Sequence, residues 1–115
     1  MSAIQKAKSH FQTILAQGLQ GPINVPEWDL KVYYKPATTF QQESKIVELQ
    51  SQGKTVEALV ETLIMRSLDI DGKPLFVRAD KTVLMRECDP TVIMRIVTDM
   101  NDPERQAQIG EDLKN

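Results

Sequence analysis

The chain is poor in the residues from which reactive sites are built. It has one cysteine, Cys88, and one histidine, His10. A lone cysteine excludes an internal disulfide, and one cysteine with one histidine excludes a structural zinc set. Aromatic residues make up only 5% of the 115 residues, so the core must rest on aliphatic side chains. No run approaches the roughly 18 apolar residues of a membrane span. The opening MSAIQKAKSHFQ lacks the apolar segment of a signal peptide, which gives the expectation of a soluble, intracellular protein with no membrane partner. The five glycines are scattered at turns, so no glycine-rich phosphate loop is present. The net charge of -2 and pI near 5.4 offer no cationic footprint for phosphate, and no nucleic-acid partner is expected.

What remains is ordinary soluble-protein material, 41% hydrophobic and 26% charged, enough for one core. The strongest signal is TVEALVETLIMRSLDIDGKPLF, Thr55 to Phe76. Val56, Leu59, Val60, Leu63, Ile64 and Leu68 recur at helical spacing, Thr55 is placed to cap the start, and Asp71-Gly72 supplies a turn beyond the end. Ala58 and Met65 fall on roughly the opposite side, which predicts a central helix touched from two directions.

The other elements arrange around it. Ser2 and Gln5 have capping-box spacing, followed by a narrow face of Ile4, Ala7, Phe11, Ile14 and Leu15 that Gly18 and Gly21-Pro22 should stop. Trp28, Leu30, Val32 and Tyr34 then alternate with polar neighbours as in a strand, ended by Pro36. Its pairing partner is either Ile23 to Val25 or Leu75 to Val77. Thr39 and Gln42 open a helix ending near Gly53, Asp80 caps a short helix with Val83, Leu84 and Met85, and Asp89-Pro90 opens one with Val92, Ile93, Ile96, Val97 and Met100. The prediction is a mainly α protein with a small β element: about five helices and a two-stranded hairpin-like sheet. A single domain is expected over residues 1–101. Residues 102–115 are expected to be a mobile or partner-docking segment, because Ile109 and Leu113 offer only roughly 3–6 kcal/mol of burial against an ordering cost of about 1 kcal/mol per residue.

Chemistry is hard to assemble from this inventory. His10 lies on the polar side of the first helix, and Cys88 stands without a base beside it in sequence. Asp69-Ile70-Asp71-Gly72 has the look of a calcium loop, but alignment on Gly72 puts Arg78 where the bidentate glutamate belongs, so the segment reads as a turn. Glu57 and Glu61, one helical turn apart, read as a solvated face. No enzymatic activity and no cofactor are expected. The methionines stand out instead: Met65 and Met94 lie off the main stripes of their helices, and Met85 lies close to an apolar face. Such flexible, polarizable side chains suit either a second core layer or an adaptable binding surface. With Val97, Ile109 and Leu113 they form the candidate set for self-association or client contacts.

From Trp28 to Val97 the order of features, WDLKVYYKPATTFQQES, EALVETLIMRSLDIDGKPLF and LMRECDPTVIMRIV, resembles the tail assembly chaperones of long-tailed bacteriophages. The resemblance implies a small, largely helical, non-enzymatic protein that binds the tape-measure protein, keeps it soluble and promotes tail-tube assembly around it. It also implies association with the tail-tube protein and with copies of itself as a ring or spiral, in the host cytoplasm and not in the mature virion. A structural tail-completion or tube-end component retained in the virion is the alternative. A small nucleic-acid reader is a third possibility, for which Asp89 to Met100 offers a single cation, Arg95.

Overall fold

The computed structural model describes residues 2–102, and these form an α+β fold of five helices and a two-stranded antiparallel sheet. The elements are α1 (Ala3–Leu15), β1 (Gln20–Val25), β2 (Leu30–Tyr34), α2 (Phe40–Ser51), α3 (Thr55–Arg66), α4 (Lys81–Glu87) and α5 (Pro90–Met100). The segment expected to be separate, with Ile109 and Leu113, lies outside the described residues apart from Asp102.

The helix starts follow the local chemistry. Ser2 Oγ accepts from the Gln5 amide while the Gln5 side chain accepts from the Ser2 amide, and Thr39 and Gln42 repeat the arrangement at α2. Asp89 accepts from the Thr91 amide with Pro90 at the first helical position of α5. Two expected caps differ. The residue preceding α3 is Lys54, and no side-chain cap forms there. Asp80 precedes α4, but its carboxylate accepts from the Val77 amide and so closes the turn before the helix.

The sheet pairs β1 with β2, which decides for the Ile23 to Val25 partner. Between Gln20 and Ile23 the register slips by one residue, absorbed at Gly21-Pro22. Gly21 has a φ of 109°, and a Cβ there would lie 2.8 Å from the Val32 carbonyl oxygen. Gly21-Pro22 therefore belongs to the strand and does not end the first helix, which stops at Leu15. Trp28 also leaves the expected strand. It sits in a 3-10 turn, Pro26–Trp28, and Asp29 in the left-handed region at φ 52° starts β2 two residues later.

Leu68 was expected to extend the central helix. In the structure α3 ends at Arg66, and Leu68 exchanges two backbone hydrogen bonds of 2.8 Å with Tyr33 on the outer edge of β2. It also bridges to Pro74, closing a loop around Gly72. Asp69 accepts from the amides of Asp71 and Lys73 at 2.9 Å each, so its carboxylate organises its own turn.

The core forms where α3, α4, α5 and the sheet meet, with Val25, Val32, Leu63 and Ile96 completely covered. On the other side of α3 a smaller cluster of Ile46, Leu49 and Ala58 packs α2 against it, with Met65 at its edge. The central helix is thus held from both sides, as its two apolar strips predicted. Trp28 and Phe76 meet edge to face, with ring centroids 6.3 Å apart, which ties the Leu75-Phe76 run to the hairpin. By contrast α1 buries no residue. The described body extends over 50 × 32 × 23 Å with a radius of gyration of 15.2 Å, against about 13 Å for a compact domain of this size, as fits a helix that stands off from the rest.

Candidate functional site: an apolar groove of three helices

Where the first half of α3 meets α4 and the start of α5, the helices leave an apolar groove. Val60, Leu84 and Ile93 form its floor, each no more than 4% exposed. Its rim is Val56 from α3, Met85 from α4 and Met94 from α5, which are 60%, 37% and 50% exposed. Cys88 and Pro90 close it at the α4–α5 junction. The enclosed space is about 90 Å³, well below the roughly 300–1,000 Å³ of a typical small-molecule site. A shallow apolar trough with adaptable methionines on its edges fits a protein segment better.

Two predicted residues, Met85 and Met94, come together here. Met65 lies away, half-buried against the α2–α3 cluster. Val97 is 5% exposed in the main core, so it supports α5 from beneath without forming part of the exposed surface. Val56 is the rim residue that sequence periodicity misplaced, since it matches the apolar stripe of α3 but occupies the first turn, beyond the reach of the packed neighbours. Its position next to a helix start was the available signal. Phe40, 90% exposed at the first position of α2, is a further apolar surface residue that pattern alone did not single out.

Ion pairs fix the helices that frame the groove. The Glu61 carboxylate, with a side chain only 6% exposed, receives Lys81 Nζ at 2.9 Å and Arg78 at 3.4 Å. Lys81 also reaches Glu57 at 3.3 Å. Burial raises the Glu61 pKa, but Lys81, Arg78 and Lys45 outweigh it and hold the group below the usual carboxylate range. Hydrogen bonding to Glu61, opposed by desolvation, moves Lys81 above its ordinary value. The Glu57–Glu61 pair is therefore not the solvated face its spacing suggested: the two carboxylates share a cation that locks α4 to α3.

On another face Arg95 grips Glu27 with both terminal nitrogens, one at 2.8 Å, joining α5 to the turn of the hairpin. This bidentate bond is the main reason the Glu27 pKa falls to about 2. At the far end of α3, Arg66 donates to the Asn101 side chain at 2.9 Å and to the Lys35 carbonyl at 3.3 Å, and its guanidinium lies 5.4 Å from the centre of the Tyr34 ring. Burial, partly offset by Glu43 and Tyr34, lowers its pKa. Its Nε and the neighbouring Ser67 hydroxyl have no hydrogen-bond partner among the described residues.

Cys88 stands half-buried at the α4–α5 junction, and His10 lies on the exposed helix α1. Among the described residues no cluster of acidic, histidine and cysteine side chains is arranged to hold a metal, and no helix is long and apolar enough to cross a membrane.

No protein-family model matches the chain, and no curated protein matches it in sequence. Among solved structures it is similar to the bacteriophage HK97 tail assembly chaperone, with a TM-score of 0.60 and 19% sequence identity over 85% of this chain and 93% of that one. At that identity the likeness establishes the fold.

Proposed function

We propose that this chain is a non-enzymatic tail assembly chaperone of a long-tailed bacteriophage. It binds the tape-measure protein in the host cytoplasm, keeps it soluble and promotes assembly of tail-tube subunits around it. The observation that carries this reading is the fold shared with the HK97 chaperone over nearly the whole described chain. The groove supports it physically. An amphipathic client helix presents apolar side chains at helical spacing, and Val56, Met85 and Met94 offer a matching apolar edge over a packed floor. Each contact is small, so binding along a rod-like client gains strength from many subunits.

Co-expression tests the reading. The chain should raise the soluble fraction of its phage's tape-measure protein, and Met94→Glu should abolish the gain while leaving the fold intact. Purified virions should lack the chain. A tape-measure protein that stays insoluble, or stoichiometric retention in particles, would overturn the proposal.

A further inference from the structure

Arg66 is a partly buried cation with no ion-pair partner among the described residues. Its Nη1 donates to the Asn101 side chain and its Nη2 to the Lys35 carbonyl, both neutral acceptors, and its planar group lies over the Tyr34 ring. Glu43 attracts it from beyond ion-pair distance, across a neighbouring cavity that both residues line. A guanidinium offers N–H donors in a rigid fork that matches an oxyanion, and these two bonds leave most of that fork unused. A charge withdrawn from water is costly until an opposite charge meets it.

Arg66 borders a cleft of about 100 Å³ between the start of α2 and the end of α3. Lys35, Thr38 and Gln42 line it beside Arg66, Ala37, Met65 and Leu68 form its apolar part, and no acidic residue takes part. Lys35 is exposed and, like Arg66, joins no ion pair among the described residues. Gln42 Oε1 accepts from the Thr39 amide, which leaves its Nε2 as a donor. Every polar side chain of the lining can therefore donate to an anion. The two helix ends oppose each other in sign, positive at α2 and negative at α3, so the side chains decide the potential.

We propose that this cleft binds the carboxylate of an aspartate or glutamate side chain on a partner protein, with Arg66 and Lys35 as its charge partners. Charge complementarity requires an anion, and the lining selects its form. The cleft is too small for a ligand of ordinary size. Its apolar residues suit the methylene stem behind a carboxylate, and by excluding water they strengthen the pairing. Phe40, 90% exposed at the first position of α2, offers a protein partner an apolar contact beside the charge that a free ion could not use. The cleft lies ten residues along α3 from Val56, so about 15 Å separates it from the apolar groove. The inference stands on the unpaired cations and does not depend on the role proposed above.

NMR titration of the isotope-labelled full chain at fixed ionic strength tests it, with acetyl-Leu-Glu-Leu-amide, acetyl-Leu-Gln-Leu-amide and inorganic phosphate as probes. The glutamate peptide should shift the Arg66 side-chain Nε–H signal and the amides of Thr38 and Gln42 saturably. It should bind at least about tenfold more tightly than either other probe, because only it combines a charge-assisted contact with an apolar stem. Lys35→Gln, at an exposed position, should weaken it about threefold or more with the rest of the spectrum unchanged. Arg66→Lys keeps the charge but loses the fork and should weaken it further. No saturable shift from the glutamate peptide, binding of the glutamine peptide or of phosphate within tenfold of it, or undiminished binding by Lys35→Gln overturns the proposal.

Discussion

Lys81 Nζ lies 2.9 Å from the carboxylate of Glu61, a charge that α3 carries into the interior. The pair fastens α4, and with it the Met85 side of the groove, to the central helix. Removing the cation strands a buried anion, which costs more than a surface pair would contribute. Lys81→Met should destabilise the fold by about 2 kcal/mol at pH 7, since Arg78 stays near and limits the loss. The sign of the pH effect follows from the shifts. Glu61 is held below its ordinary value, so its contribution is present above about pH 4.5 and fades as pH falls through the lower folded value. Lys81 is held above its ordinary value, so its contribution is full below about pH 10.5 and fades as pH rises through the higher one. Urea unfolding of wild type and variant at pH 7 and pH 4 should show the difference between them shrinking in acid, where Glu61 takes up a proton in the variant first.

Val97 and Met94 share a helix and differ in cover, 5% against 50% exposed. Val97→Glu should cost about 3 kcal/mol or more, because a carboxylate would enter a core with no partner for it. Met94→Glu should move the unfolding midpoint little. Thermal melts followed by circular dichroism separate the two.

Gly21→Ala should be costly for two reasons that act together. The φ of 109° is foreign to a side-chain-bearing residue, and the new methyl would press on the Val32 carbonyl, which is fixed backbone. A loss of about 2–4 kcal/mol is expected. Gly18→Ala is the control: its φ is also positive, but nothing lies within 4 Å, so the cost should be about 1 kcal/mol.

Glu27 should titrate by NMR near pH 2 and return toward the ordinary carboxylate range in Arg95→Gln. The pair is exposed, so added salt should weaken the shift and the variant should unfold close to wild type.

The sequence was most readable where structure is decided locally. The caps at Ser2, Thr39 and Asp89, the α5 stripe and the two apolar strips of α3 all depend on residues within a turn or two of each other. Glu61 was not readable as buried because its partners are Arg78 and Lys81, brought in by a loop of separate chain. Leu68 fits the helical stripe, yet it is captured by a backbone pairing with Tyr33 that no periodicity announces. Of the groove, the methionines off the main stripes pointed to Met94, while Val56 was hidden by its agreement with the core pattern. Phe40 lacked any such signal.

The pairing of Leu68 with Tyr33 has one more consequence. It occupies part of the outer edge of β2, and the opposite strand carries the Gly21-Pro22 irregularity and is followed at once by Pro26. A hairpin blunted on both flanks resists growth by addition of further strands. A protein that displays exposed methionines and a helix with no buried residue is thereby protected against amyloid-like stacking at its only sheet among the described residues.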